Sequence, residues 1–227
     1  MSAPDVRAFT VGPVQENSYI VRASPEATRA VIIAPGDEAE RLLAAAEALG
    51  VELEAILLTH CHFDHIGAVA PVARATGAPV YCPQIERPIL ADVMSWVPPG
   101  FGPFESHEAE HTVAGGERLS LAGLDFEVMF TPGHSPGHVT YAIPGALLSG
   151  DVLFQGSVGR VDLPGGDWGT LESSIEGLIR AHPPETVVYP GHMGITTLAR
   201  ELQSNPFLAE LRDRIPPAAA VRSPTAS

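Results

Sequence analysis

Within six residues the chain reads His60-Cys-His62-Phe-Asp64-His65, three imidazoles and a carboxylate close enough to share metal. Along an extended backbone side chains alternate, so His60, His62 and Asp64 fall on one side. His65 joins them only if the chain turns at Asp64, as Gly67 and the helical pattern after it suggest. At this chain's His and Asp frequencies such a cluster arises by chance in roughly one chain per thousand or fewer, so coincidence explains it poorly. Three more donors stand singly: His134 after Thr131-Pro-Gly, Asp151 after Ser149-Gly, and His192 after Pro190-Gly. For each of these alone, turn formation or helix capping is a competing explanation. Seven nitrogen and oxygen donors are too many for one tetrahedral ion and suit two metals. A carboxylate bridges cations where an imidazole normally does not, which makes Asp151 or Asp64 the candidate shared ligand. Two cations about 3.5–4 Å apart lower the pKa of a shared water from about 15.7 toward ~7, giving hydroxide that attacks a carbonyl at neutral pH.

Such donors must be delivered by elements that end together. Ala55-Ile-Leu-Leu58, Val128-Met-Phe130, Ala146-Leu-Leu148 and Val187-Val-Tyr189 are short apolar runs, each leading into one of the donor groups through Thr, Pro or Gly. Buried strands that stop at such turns place the next side chains at a common sheet edge, where layered α/β proteins bind ligands. Further strands are expected at 18–21, 30–33, 79–82, 118–121, 125–130, 138–143 and 186–189. Helices are expected at 38–49, stopped by Gly50, at 68–76, stopped by Gly77, at about 170–180, and at 196–202. The Pro/Gly-rich stretch 97–103 reads as a loop on the active-site side rather than a linker. Residues 1–215 read as one domain, and the low-complexity tail 216–227 is expected to be disordered.

Taken together, Thr59-His-Cys-His-Phe-Asp-His65, Thr131-Pro-Gly-His134, Ser149-Gly-Asp151 and Pro190-Gly-His192 resemble the metallo-β-lactamase superfamily, and most of all its glyoxalase II-like branch, over about residues 17–208. Gly156-Ser-Val-Gly-Arg-Val-Asp162-Leu-Pro-Gly-Gly166 and Asn205-Pro-Phe-Leu208 resemble its short, single-domain bacterial members. The resemblance implies an α/β fold, a four-layer αββα sandwich, with a two-metal site at one edge of the sheets. It implies that His60, His62 and His134 bind a first Zn²⁺, that Asp64, His65 and His192 bind a second, and that Asp151 bridges; iron or manganese could replace zinc. It gives Asp64 and Asp151 catalytic roles and points to a hydrolase of small-molecule thioesters such as S-lactoylglutathione, whose leaving thiolate suits zinc. Arg160, nine residues after Asp151, stands where related enzymes bind the thiol's carboxylate, with a surface salt bridge as the competing role.

Two departures from the family pattern carry consequences. Ala34 precedes Pro35-Gly36 where related chains have Asp, so a carboxylate supporting the site is expected to be missing and metal affinity to fall by about 10–100-fold. Gly194 stands where larger glyoxalase II enzymes have a Tyr used for glutathione, and their helical C-terminal domain is not expected here.

Composition narrows the remaining choices. With 13 basic and 27 acidic residues the formal charge is −14, which argues against nucleic acid as a partner. No apolar run approaches ~18 residues, the first residues lack a signal-peptide pattern, and two cysteines are too few for a disulfide framework, so a cytoplasmic protein without membrane contact is expected. The oligomeric state is open, a homodimer included. His107-Glu108-Ala-Glu-His111 matches the HExxH protease motif, but Pro103 upstream and Gly115-Gly116 after it argue against the helix that motif needs. His138 and His182 read as structural, and Trp96 and Trp168 fit the site or the core equally well. The main rival activity is that of a persulfide dioxygenase, which by resemblance would hold one iron at His60, His134 and Asp151. A β-lactamase, an RNA-processing enzyme and a non-catalytic metal-binding module are less favoured.

Overall fold

The computed structural model describes residues 4–215, and the tail expected at 216–227 lies outside them. Two six-stranded sheets form the centre. The first contains β1 (Asp5–Val11), β2 (Glu16–Arg22), β3 (Arg29–Ile33), β4 (Glu52–Leu57), β5 (Val80–Pro83) and β6 (His111–Val113) in sequential order. β1, β2 and β3 are antiparallel, and β3 through β6 are parallel. The second sheet is built from β7 (Arg118–Leu121), β8 (Leu124–Phe130), β9 (Val139–Ile143), β10 (Ala146–Gly150), β13 (Val187–Pro190) and β14 (Thr196–Thr197), in the order β14-β13-β10-β9-β8-β7. A small hairpin, β11 (Leu153–Phe154) and β12 (Ser157–Val158), follows β10.

Strand alternation splits the apolar residues between layers. Tyr19, Val21, Val31, Ile33, Ala55 and Leu57 face Phe126, Val128, Val139, Tyr141 and Leu148 across the sandwich. Their neighbours Ile20, Ile32 and Ile56 point the other way, onto Leu42 and Ala46 of α1 (Ala39–Leu49) and Val69 and Val72 of α3 (Val69–Thr76). On the far side Leu147 and Val188 pack on Leu171, Ile175 and Leu178 of α5 (Trp168–Ala181), joined by α6 (Leu198–Ser204) and α7 (Ala209–Arg214). Two short helices, α2 (Phe63–Ile66) and α4 (Arg87–Ala91), lie in the loops between. The arrangement is the expected αββα sandwich.

Most expected elements stand within a residue or two of their places, because apolar periodicity and Gly stops are local signals. Gly50, at φ 65°, closes α1 as expected. Thr196 and Thr197 differ: they pair with β13 as an edge strand, as β-branched residues favour, and Thr197 then caps α6 by accepting from Arg200 N–H. β1 is a half-exposed edge strand that mixes Asp5 and Arg7 with Phe9 and Val11 on one face, so its sequence carries little apolar signal; pairing with β2 makes it a strand.

Candidate metal centre

β8, β10 and β13 run in the same direction, so their C-terminal ends reach one edge of the second sheet. β4 ends against the same edge, where Val139 N–H donates to Thr59 C=O at 2.8 Å. The chain leaving β4 then makes the turn expected at Asp64: His62 precedes α2, His65 N–H donates to His62 C=O, and the His65 side chain is buried inward. Where β10 ends, Gly150 adopts φ 48°, and a Cβ there would press on Thr59 and His138. At Gly191 a Cβ would overlap Asp151 Oδ1 and His65. Glycine at these two points lets the strand ends close around the donors.

All seven expected donors meet at this edge. His60, His62 and His134 form one set of ligand atoms lying within 4.8 Å of one another; Asp64, His65 and His192 form another, and His60, His65 and Asp151 a third. His134 Nε2 is 2.8 Å from His62 Nδ1 and 3.4 Å from Asp151 Oδ2. On the other side His192 Nε2 is 3.2 Å from Asp64 Oδ2 and 3.5 Å from Asp151 Oδ2, and His65 Nε2 is 3.4 Å from Asp151 Oδ1. Asp151 therefore touches members of both outer sets.

The hydrogen bonds fit a cation. His134 Nδ1 lies 2.8 Å from the Arg160 carbonyl, which can only accept, so the ring proton sits on Nδ1 and Nε2 offers a lone pair inward. Among the described residues, His60 Nε2, both nitrogens of His65 and Asp151 Oδ1 are buried without a hydrogen-bond partner. Burying so many unpaired polar atoms in one place is costly, and divalent cations would satisfy them. Electrostatics agrees. Burial opposes ionisation of Asp151 and Asp64, yet the surrounding imidazoles, His65 first, hold both carboxyls below their usual range. Burial and then His134 push His62 down to about 4, and burial keeps His60 neutral. His192, despite its burial, is drawn up to about 9 by the Asp64 hydrogen bond and the Asp151 charge. The edge thus brings two carboxyls favoured as anions together with the buried imidazoles of His60 and His62, which are disfavoured as cations.

Other positions fall as follows. Arg160 is exposed and makes a bidentate pair with Asp162 at 2.6 and 2.7 Å. His107 and His111 share no helix: His111 begins β6, His107 contacts Glu110, and Glu108 pairs with Arg87, so the protease motif does not assemble. His138 is fully buried and accepts from Asp151 N–H on Nε2 at 3.1 Å while Nδ1 meets Thr131 Oγ1 at 3.0 Å, a structural role. Cys61 and Cys82 are buried free thiols with sulfurs 3.5 Å apart. The loop at 97–103 reaches the site side, since the Phe101 ring packs at a tilt against Phe63, next to Asp64.

One contributor carries no signal in the sequence. Glu86, buried just before α4, accepts from Cys61 N–H at 3.2 Å through one oxygen and from Ser135 Oγ and Gly137 N–H at 2.7 and 2.9 Å through the other. It ties the His60–His62 segment to the His134 loop, partners that lie 25 to 51 residues away along the chain.

An αββα sandwich with histidines and aspartates gathered at one sheet edge is the architecture of a metallo-hydrolase class. The model of the metallo-beta-lactamase superfamily matches residues 11–192, and the chain belongs to that superfamily. Among curated relatives, hydroxyacylglutathione hydrolase GloC of Haemophilus influenzae is 36% identical over 214 residues, covering 90% of this chain and 98% of its own. Among solved structures, the BLEG-1 B3 metallo-beta-lactamase superposes with a TM-score of 0.85 at 39% identity, covering 90% of this chain and all of its own. TTHA1623, solved in a di-iron-bound form, superposes with a TM-score of 0.72 at 44% identity, covering 89% and 100%. Among the described residues no helix is long and apolar enough to cross a membrane.

Proposed function

We propose that the protein is a glyoxalase II-like thioesterase that hydrolyses S-acylglutathione, S-lactoylglutathione being the representative substrate. The observation that carries this reading is Asp151, a carboxylate lying between a three-histidine set and an Asp64-His65-His192 set. In it His60, His62 and His134 would hold one divalent cation, Asp64, His65 and His192 would hold a second, and Asp151 would serve both. The two-cation count is supported by the di-iron form of TTHA1623, and the thioester by the hydrolase GloC. Zinc is the expected metal, with iron or manganese as substitutes. When bound, the cations lower the pKa of water and polarise a carbonyl.

The chain's own groups prepare that chemistry. The Arg160 carbonyl holds the His134 proton at Nδ1, and Asp64 and Asp151 bring the negative charge that offsets the cations. Phe63, packed at a tilt against Phe101 with ring centroids 4.7 Å apart, gives the site an apolar wall. Arg160 binds the substrate's carboxylate by exchanging it for Asp162; both partners are exposed, so the exchange costs little. The paired free thiols fit a reducing, cytoplasmic setting.

Metal analysis of the purified protein together with a panel of S-lactoylglutathione, glutathione persulfide and a chromogenic β-lactam tests the reading. About two metal ions per chain and turnover of the thioester are expected. One iron per chain with oxygen consumption on the persulfide would replace it by the dioxygenase. Turnover of the β-lactam alone would align the chain with BLEG-1.

A further inference from the structure

Behind His65 lies a carboxyl group that the donor sets do not include. Glu16 opens β2, its side chain is fully buried, and its Oε1 is 3.5 Å from His65 Nδ1. Neither of these two atoms has a hydrogen-bond partner among the described residues. The opposite ring nitrogen, His65 Nε2, is the one that faces Asp151 and Asp64, at 3.4 and 3.8 Å. An imidazole that gives Nε2 to a cation carries its proton on Nδ1, and an acceptor at Nδ1 fixes both tautomer and ring direction.

The other oxygen of Glu16 is anchored. Oε2 lies 3.0 Å from Ser18 Oγ, which is itself 2.8 Å from the Ala34 carbonyl and receives Gly36 N–H at 3.3 Å. A Cβ at Gly36 would overlap the Asp64 backbone carbonyl and also stand 2.7 Å from Glu16 Oε2, so glycine is needed where the chain passes between them. Ser18 has one proton, and the Ala34 carbonyl can only accept it. The Ser18 hydroxyl directs that proton to the Ala34 carbonyl or to Glu16 Oε2, and in both cases Oε2 is held beside Ser18 while Oε1 is left as a bare acceptor toward His65. Between Glu16, Ala34, Thr59 and His65 lies a cavity of about 10 Å³, at the lower limit for one water. The methyl of Ala34 borders that gap and offers the imidazole no polar atom.

We propose that Glu16 is a positioning residue of the second cation site: its Oε1 accepts the Nδ1 proton of His65 and so aims Nε2 at the space shared with Asp64, His192 and Asp151. The inference rests on the two-cation reading above. It also revises the expectation drawn from Ala34, because a supporting carboxyl is present and comes from β2 instead of from the end of β3.

The test is a Zn²⁺ titration of chelator-stripped full-length protein against a competing chromogenic chelator, with thermal unfolding of each stripped variant followed alongside. Glu16→Leu removes the acceptor, whereas Glu16→Gln keeps an oxygen for His65 and turns an amide N–H toward Ser18 Oγ, whose own proton then goes to the Ala34 carbonyl. Glu16→Leu should weaken one of the two Zn²⁺ sites by about 10–100-fold, while Glu16→Gln stays within about threefold of the parent at both. A purely structural role would not separate the two variants in this way. Unchanged binding by Glu16→Leu, or equal loss in both variants, overturns the proposal. Should Glu16→Leu fail to fold, the imidazole ¹H–¹⁵N spectrum of the zinc-loaded parent decides: a His65 proton on Nδ1 supports the assignment, and one on Nε2 overturns it. Failure of the thioesterase reading would show in the substrate panel with the parent protein, which this titration does not use.

Discussion

Asp151 is the residue on which the proposed chemistry turns, since its two oxygens face His65 on one side and His134 and His192 on the other. Asp151→Ala is expected to lower kcat/KM for S-lactoylglutathione by about a thousandfold or more and to reduce bound metal. His107→Ala should leave turnover within about twofold, because His107 meets only Glu110 in a segment without helix. Equal losses in the two variants, measured side by side, would return the HExxH motif to consideration. Arg160→Ala should raise KM for glutathione thioesters about tenfold with kcat nearly unchanged, the pattern of lost ground-state binding. An unaltered KM would show that another group anchors the substrate's carboxylate. The candidate donors from His60 to His65 were legible because residue type and spacing act locally, whereas His134, Asp151 and His192 gained that reading from their strand-then-turn context and the family resemblance. Glu16 was not: it is a single acidic residue in a strand, and its meaning comes from His65, 3.5 Å away in space.

At the scale of elements, the centre depends on loops from different strands holding still relative to one another. Glu86 does this for the loops of His62 and His134, accepting from two backbone N–H groups and a serine hydroxyl in the interior. Glu86→Ala strands those donors without partners, so a loss of about 3 kcal/mol in unfolding free energy is expected in denaturant titration, together with weaker metal binding. A stability within error of the parent would mean that water or a neighbour replaces the carboxylate. The four donor-bearing strand ends were readable, because a buried strand announces itself as an apolar run and a Pro or Gly marks where it stops. β1 and the β11–β12 hairpin were not, because a half-exposed edge strand or one only two residues long has too little pattern of its own and is defined by its partner.

For the molecule as a whole, the orphaned nitrogens and oxygens at the sheet edge imply that the proposed cations would contribute to folding as well as to catalysis. A ligand that binds only the folded state at about a thousand times its Kd adds about 4 kcal/mol. In a chain of this length that corresponds to roughly 10 °C in Tm. Calorimetry with and without chelator should show a fall of that order, reversed by restoring zinc. A Tm indifferent to chelator would contradict a resident metal centre. The two halves of the centre sit on different sheets, His60 through His65 after β4 and the remaining donors after β8, β10 and β13, so stripping the metal should loosen the sandwich mainly at this edge.

By itself the sequence determined the donor types, the strand ends that carry them and the layered class of the fold, because hydrophobic periodicity, turn residues and ligand spacing act over a few neighbouring positions. The grouping of the donors into two sets with Asp151 between them came only from the family resemblance until the tertiary structure brought those atoms together, and only that structure showed that Glu16 and Glu86 stand behind them. Those facts depend on atoms from distant parts of the chain approaching within hydrogen-bonding range, which packing of the two sheets sets and local pattern does not encode.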